Sequence, residues 1–179
     1  MDVKDISLTI VFSSLYAILV VFLAPISFGP IQLRVADCML PLSILFGYPL
    51  IIGATIGCFI GNLIGGVMYF GEVNMLDVVF GPIANLIATF VIYALRRWRL
   101  GSCIIGSLIV GFIVGGYLWL LIPPPSIGIM APAWAAMIVS ITLSSLIAMA
   151  MIGYGILNAL SRPNVIRSLK SMGLKIIED

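Results

Sequence analysis

The sequence predicts an all-α membrane protein with six transmembrane helices, from its hydrophobicity, the lengths of its apolar runs and the placement of its cations. Hydrophobic residues make up 62% of the 179 residues and charged residues only 9%, whereas a soluble domain is about a quarter charged. The mean hydropathy is +1.25. A chain this short cannot bury so much apolar surface in one core, so lipid is the predicted solvent for most of it.

The apolar runs define the predicted helices. Crossing roughly 30 Å of hydrocarbon takes about 20 helical residues. The first run is as long as a span and no cleavage pattern follows it, which favours a transmembrane helix over a secretory signal. The predicted spans are residues 6–24, 35–46, 49–66, 75–95, 102–122 and 133–160.

The second predicted helix is unusually short. Gly47-Tyr48-Pro49 interrupts the apolar region and favours a turn there, which leaves residues 35–46 as a separate helix. It would reach only about 18 Å as an α-helix. Such a helix must tilt, thin the bilayer locally or be shielded by protein.

The cations set the predicted orientation. With six spans, one side of the membrane holds eight of the nine Lys and Arg residues, and the exception is Arg34. Because cytoplasmic loops carry an excess of Lys and Arg, both termini are predicted to be cytoplasmic. Residues 1–160 are predicted to form a transmembrane substrate-binding domain, and residues 161–179 a cytoplasmic C-terminal tail. The eight are Lys4, Arg96, Arg97, Arg99, Arg162, Arg167, Lys170 and Lys175.

Small residues recur at four-residue spacing and predict close helix packing. The clearest stripe runs from Gly53 to Gly65 on the third predicted helix. On the first helix, Ser13 and Ala17 make a shorter patch of the same kind. They are candidates for contact with a partner membrane protein, and packing against helices of the same chain is equally compatible with the sequence.

Polar residues inside spans are costly and usually face protein or water. Asp77, Gly81 and Asn85 form one stripe along the fourth predicted helix, and the glycine leaves room beside it. Several polar residues could converge near the outer face on a pocket for a small, flat, polar solute. The candidate substrate-binding residues are Gln32, Arg34, Asp37, Asn62, Glu72, Asp77, Asn85 and Trp134.

Each candidate also has a structural interpretation. Asn62 and Asn85 could simply join helices by hydrogen bonds, and Asp77 could stabilise a helix N-terminus. Arg34 and Asp37 could form a local ion pair that caps the short helix. Glu72 could be a solvated loop charge, and Trp134 could belong to an interfacial aromatic belt.

The residue inventory limits the possible chemistry. The absence of histidine excludes Ser-His and Cys-His catalysis and HExxH zinc sites. The three cysteines are widely spaced and predict neither a disulfide framework nor a metal site. No Walker A motif is present, so no bound cofactor is predicted and ATP would be used by partners. An intramembrane enzyme would need Ser, Cys or Asp as its nucleophile, and no motif joins them.

Three segments resemble the QueT family: IQLRVAD, GCFIGNLIGG and LDVVFGPIANLIATF. The resemblance implies an S-component, the substrate-binding membrane subunit of an energy-coupling factor transporter for queuosine precursors. It further implies an outward pocket capped by the first loop, a transmembrane coupling subunit contacted through the first helix, and two ATPase subunits. Ser13 and Ala17 stand where the family tends to have two alanines. No nucleic acid is expected as a partner.

The sequence departs from the family pattern at two places. Asp37 stands where the family usually has glutamate, and no carboxylate occurs between Asp77 and Glu178, although the last helix of the family often has one. The predicted function is uptake of a 7-deazaguanine-type solute across the plasma membrane of a prokaryote. The alternatives are an S-component for another vitamin or nucleobase, an intramembrane enzyme, or a stand-alone facilitator, which internal inverted repeats would favour and which lacks that support here.

Overall fold

The computed structural model describes residues 2–28, 33–123 and 132–177, and within them the protein is helical without strands. An eight-residue 3-10 helix precedes α3, and a π-helical segment joins α7 to α8. The helices are α1 (Val3–Phe22), α2 (Ala24–Ser27), the 3-10 helix (Val35–Leu42), α3 (Ser43–Phe46), α4 (Tyr48–Phe70), α5 (Met75–Ala94), α6 (Arg99–Leu118), α7 (Ala133–Ser145), the π segment (Leu146–Gly153), α8 (Tyr154–Leu160) and α9 (Pro163–Ser171).

Five helices are long and apolar enough to cross a membrane. They are α1, α4, α5, α6 and the continuous helix Ala133–Leu160, with mean hydropathies between 1.9 and 2.2. The prediction of a multi-pass, all-helical membrane protein is therefore confirmed. Some boundaries differ from the predicted ones: α4 continues four residues past Gly66 to Phe70, and α6 begins at Arg99, three residues before the predicted start.

The short helix begins and ends where the sequence predicts, at Val35 and Phe46. All residues from 36 to 47 are buried, so this helix is shielded by protein, which is one of the three solutions open to a short span. Gly47 ends it with a φ of +60°, a conformation that residues with a Cβ rarely adopt. Tyr48 then begins α4, with Pro49 in its first turn, where a proline costs no hydrogen bond.

The glycine stripe of α4 packs against α1. A Cβ added to Gly53 would lie 2.8 Å from the carbonyl oxygen of Thr9, and one added to Gly57 would lie 2.6 Å from that of Ser13. Both distances are too short for a real contact. The two backbones therefore approach as closely as they do because these positions are glycine.

A second close contact joins α6 and α7. A Cβ on Gly111 would meet the backbone and side chain of Thr142, and one on Gly115 would lie 2.6 Å from the Cα of Ile138. On the other side of α6, Gly106 faces the side chain of Ile92 in α5. Long helices that are consecutive in the order α1, α4, α5, α6 and α7 are therefore neighbours in the bundle. The short helix is buried inside it.

Both ends of the chain meet at one end of the bundle. Lys175 pairs with Asp2 at 2.8 Å, and the Lys4 ammonium donates to the carbonyl of Gly173 at 3.3 Å. The amide of Ile177 donates to the carbonyl of Leu45, near the end of the short helix. The C-terminal residues 173–177 therefore form a strap across the starts of α1 and α4.

The Lys175 ammonium shifts the pKa of the carboxyl with which it pairs. Its hydrogen bond lowers the pKa of the Asp2 carboxyl from the ordinary value of 3.8 to about 2. The same bond raises the pKa of Lys175. Both side chains are largely exposed, so salt is expected to weaken this attraction.

Candidate functional site

Asp77 is the centre of a buried polar cluster at the start of α5. The side chain of Asn74 caps the helix by accepting a hydrogen bond from the Asp77 amide at 3.4 Å. A carboxylate in the first turn is favoured by the helix dipole. Asp77 is only 3% exposed, however, so it must find partners within the protein.

Two side chains from other helices donate to the same oxygen of Asp77. Arg34 Nη2 donates to Asp77 Oδ1 at 2.6 Å, forming a buried ion pair. The Tyr117 hydroxyl of α6 donates to Asp77 Oδ1, also at 2.6 Å. One carboxylate thus joins the start of the short helix, α5 and α6.

Asn62 of α4 completes this first cluster. Its Nδ2 donates to the backbone carbonyl of Asp77 at 2.8 Å and contacts the Cys58 sulfur at 3.6 Å. Gly81 makes this approach possible, because a Cβ there would lie 2.5 Å from Asn62 Nδ2. The predicted room beside Gly81 is therefore used by the amide of Asn62.

A second cluster centres on the hydroxyl of Tyr16, in α1. Tyr16 donates to Asp37 Oδ1 and accepts from Asn85 Nδ2 at 2.6 Å. Asp37 and Asn85 are both 0% exposed. The second oxygen of each, Asp37 Oδ2 and Asn85 Oδ1, has no hydrogen-bond partner among the described residues.

Arg34 and Asp37 do not form a local ion pair capping the short helix. The guanidinium of Arg34 pairs with Asp77, 43 residues further along the chain, and Asp37 accepts from Tyr16. No side-chain hydrogen bond caps the 3-10 helix at Arg34. Although Arg34 and Asp37 are one turn apart, they belong to different clusters, because α5 and α1 supply better-placed partners for them.

A small cavity lies between the two clusters. Its volume is about 10 Å³, about what one water molecule requires. Ser27 and Phe28 close it on the side of α2, and the Ser27 hydroxyl has no partner. The lining residues are Tyr16, Val20, Ser27, Phe28, Arg34 and Asn62.

The structure brings five of the eight predicted substrate-binding residues together: Arg34, Asp37, Asn62, Asp77 and Asn85. Glu72 is exposed in the loop before α5. Trp134 is 51% exposed in the first turn of α7. Neither joins the two clusters, and Gln32 lies outside the described residues.

Three residues of this region, Tyr16, Ser27 and Tyr117, were not among the predicted substrate-binding residues. Both tyrosines occur within apolar helices, where a hydroxyl needs a partner, so this signal was present in the sequence. Ser27 is the last residue of the four-residue helix α2, and no such signal marks it in the sequence. Which helix face each tyrosine presents depends on tertiary packing.

Ser13 and Ala17, the predicted partner-contact residues, are buried against α4. They are 8% and 9% exposed, and the Ser13 backbone faces Gly57. In this structure both residues therefore pack within the chain, which is one of the two interpretations of the sequence. The outward face of α1 carries other residues, including Ile10 at 60% and Ile18 at 51% exposure.

The described ranges contain no cluster of three or more Cys, Asp or Glu side chains suited to a metal ion. Cys58 is the cysteine nearest the polar clusters, and like Cys38 and Cys103 it is a free, buried thiol. The polar groups that line the small cavity are hydroxyl, amide and guanidinium. They suit hydrogen bonding to a polar solute more than metal coordination.

Comparisons with known proteins give one match. No curated protein and no solved structure matches the chain. A family model described as QueT transporter matches residues 6–162, which includes both polar clusters and, apart from the first three residues of α1, the five long apolar helices. The protein therefore belongs to the QueT transporter family, a family of membrane transporters rather than of enzymes.

Proposed function

We propose that the protein is the substrate-binding subunit, or S-component, of an energy-coupling factor uptake transporter for a queuosine precursor of the 7-deazaguanine type. Family membership supports the transporter class. The observation that carries the binding role is the pair of buried polar clusters around Asp77 and Tyr16, inside an otherwise apolar bundle. Polar groups at this depth are costly and usually functional.

The chemistry of the clusters fits a flat heterocycle with both donors and acceptors. Arg34 can donate to a ring carbonyl, and the carboxylates and amides can accept from ring N–H and amino groups. Pockets for small ligands have volumes of roughly 300–1,000 Å³, while the cavity between the clusters is about 10 Å³. Loading a solute therefore requires α2 and Phe28 to move away from the cavity.

The proposed topology has six membrane crossings, with both termini in the cytoplasm. The short helix supports the sixth crossing, because Arg34 at its start meets Asp77 and Leu45 near its end meets Ile177. It thus runs from the polar clusters to the end where the two termini meet. Residues 1–160 would form the substrate-binding domain and residues 161–179 the cytoplasmic tail.

The proposed partners are a transmembrane coupling subunit and two ATPase subunits, in the plasma membrane of a prokaryote. ATP would be used by those partners, and no cofactor is proposed for this chain. Contact through Ser13 and Ala17 remains a prediction. Because both side chains face α4 in the isolated chain, a partner could reach them only if α1 separated from α4.

The solute can be identified with purified protein. Native mass spectrometry should detect a co-purifying heterocycle, and calorimetry should show tight binding of a 7-deazaguanine-type compound without ATP. A thermal-shift panel of vitamins and nucleobases tests the second candidate, an S-component for another solute. That candidate is favoured by Asp37 in place of glutamate and by the absence of a carboxylate in residues 133–160.

Partner binding needs a test that separates contact from folding. The proposal predicts that Ser13→Leu or Ala17→Leu abolishes co-purification with the ATPase pair. Because a leucine at either position also pushes α1 away from α4, solute binding is expected to weaken as well, but much less than co-purification. Ile18→Ala, on the exposed face of α1, is the matched control. Loss of solute binding together with co-purification would assign both positions to packing against α4 alone.

A further inference from the structure

The two polar clusters differ in how completely their hydrogen bonds are satisfied. In the first, Asp77 Oδ1 accepts from Arg34 and Tyr117, and the Asp77 carbonyl accepts from Asn62. In the second, Asp37 Oδ2 and Asn85 Oδ1 have no partner within the part of the chain that the structure describes. Among the described residues, the first cluster has no buried side-chain atom without a partner, whereas the second retains two unused acceptors.

Unused acceptors at this depth are costly. Asp37 and Asn85 are each 0% exposed, and a buried polar group without a hydrogen bond costs about 1–3 kcal/mol. Each such group calls for an explanation, and a ligand that supplies the missing donor is one. Both side chains are fixed by the same Tyr16 hydroxyl, Asp37 as acceptor and Asn85 as donor, so neither oxygen can rotate freely to another partner.

Arg34 does not supply the missing donors. It is the cation nearest to Asp37 along the chain, but its Nη2 is bonded to Asp77. Asp77 is itself a second negative charge near Asp37. The hydroxyl of Tyr117, which could also donate, is bonded to Asp77 as well.

We propose that, once α2 and Phe28 move aside and the cavity extends past Tyr16, Asp37 and Asn85 form an acceptor pair that selects solutes with two adjacent N–H donors on one edge. In a guanine-type ring these are the ring N–H and the neighbouring amino group. This inference rests on the proposed function, and it further specifies which residues bind which part of the solute. Asp77 then serves to hold Arg34 and the short helix against α5 and α6 and does not itself choose the solute.

The physical basis of selection is the cost of an unsatisfied site. A solute with both donors satisfies two buried acceptors, one of them by a charge-assisted bond. A solute without one donor leaves an acceptor buried and unpaired. Loss of one such bond is expected to weaken binding roughly 10- to 100-fold.

The test compares solutes that differ only on this edge. Calorimetry on detergent-purified wild-type protein would use 7-deazaguanine, 7-deazahypoxanthine, which lacks the amino donor, and 7-deazaadenine, whose corresponding ring nitrogen is an acceptor. Isocytosine and guanine carry the donor edge on other rings. We expect 7-deazaguanine to bind at least tenfold more tightly than the other two deazapurines.

Two variants complete the experiment. Asp37→Asn replaces one carboxylate oxygen by an amino group at nearly constant volume and should remove the preference for 7-deazaguanine. Thr55→Ala is the control, because the Thr55 hydroxyl bonds only to Ile51 of its own helix. The wild-type preference is itself a readout that does not depend on how well a variant folds.

The outcomes separate this inference from the proposed function. Equal binding of 7-deazaguanine and 7-deazahypoxanthine, or an unchanged preference in Asp37→Asn, overturns the acceptor pair and leaves the function standing. Binding of guanine or isocytosine without 7-deazaguanine, lost in Asp37→Asn, supports the acceptor pair and overturns the proposed solute. If none of the five compounds binds, both are overturned.

Discussion

Arg34 and Asp77 form a buried ion pair of 2.6 Å across 43 residues of sequence. The pair attaches the start of the short helix to the start of α5, and Tyr117 attaches α6 to the same oxygen. Because both charges are removed from solvent, each depends on the other for its stability. The pair therefore fixes the polar end of the bundle in one arrangement.

Asp77→Asn should destabilise the protein and weaken solute binding. The substitution leaves the Arg34 guanidinium buried without a counter-charge, and breaking such a pair costs about 3–5 kcal/mol. We expect a lower Tm in a detergent melt and at least tenfold weaker binding in calorimetry. The double variant Arg34→Met with Asp77→Leu should recover much of the stability, and Glu72→Gln, in an exposed loop, should change neither quantity. An unchanged Tm and unchanged binding in Asp77→Asn would show that the pair matters for neither.

Tyr16→Phe should cost more stability than Tyr117→Phe. Removing the Tyr16 hydroxyl leaves Asp37 without its donor and Asn85 without its acceptor, whereas Asp77 keeps Arg34 when Tyr117 is changed. Each newly unpaired buried group costs about 1–3 kcal/mol. Chemical denaturation of the two variants under the same conditions measures the difference, and the reverse order of stability would contradict the assignment.

The ends of the short helix were predictable from local sequence, but the partners of its charges were not. Gly47 ends the helix because its φ of +60° suits glycine, and that preference is readable from the residue itself. Spacing alone suggested Asp37 as the partner of Arg34. The actual partner, Asp77, depends on how α5 packs beside the short helix, which no local pattern encodes.

The same distinction holds for the second cluster. Asn85 was identifiable as a polar residue on one face of an apolar helix, whereas Tyr16 was not selected. The hydroxyl of Tyr16 reaches Asp37 because α1 packs closely on α4. The glycine stripe predicted close packing, but not that α1 would be the helix packed there, nor that Ser13 would face inward.

Gly57→Ala should separate α1 from α4. The added Cβ would lie 2.6 Å from the Ser13 carbonyl and 2.8 Å from the Tyr16 Cβ, so the backbones must move apart. The expected result is a lower Tm together with weaker solute binding, because Tyr16 moves with α1.

Gly155→Ala is the matched control for the glycine prediction. Nothing lies within 4 Å of a Cβ at that position of α8, and alanine in a helix is favoured over glycine by about 0.5–1 kcal/mol. The control should therefore raise the Tm or leave it unchanged. Equal losses in both variants would mean that glycine at position 57 has no special packing role.

The strap should loosen at low pH. Asp2 has its pKa lowered to about 2 by the hydrogen bond from Lys175, so its contribution is fully present above about pH 4 and is lost as the pH falls through about 2. Hydrogen exchange of the first turn of α1 and of residues 173–177 measures this.

High salt and removal of the Lys175 charge test the contribution of the ion pair to the strap. High ionic strength should increase exchange in the same amides, since the pair is exposed and screened. Lys175→Met should raise exchange at neutral pH and remove the acid step attributable to Asp2. An identical acid step in the variant would assign it to another group.

Close packing of α1 on α4 has a mechanical consequence. Lys4 at one end of α1 contacts the carbonyl of Gly173, and Tyr16, about 18 Å further along the axis, holds Asp37 and Asn85. Because the glycines of α4 let α1 pack directly against it, α1 behaves as a rigid helix. A pull on the strap and a change at the Tyr16 cluster then act on two points of the same rigid helix.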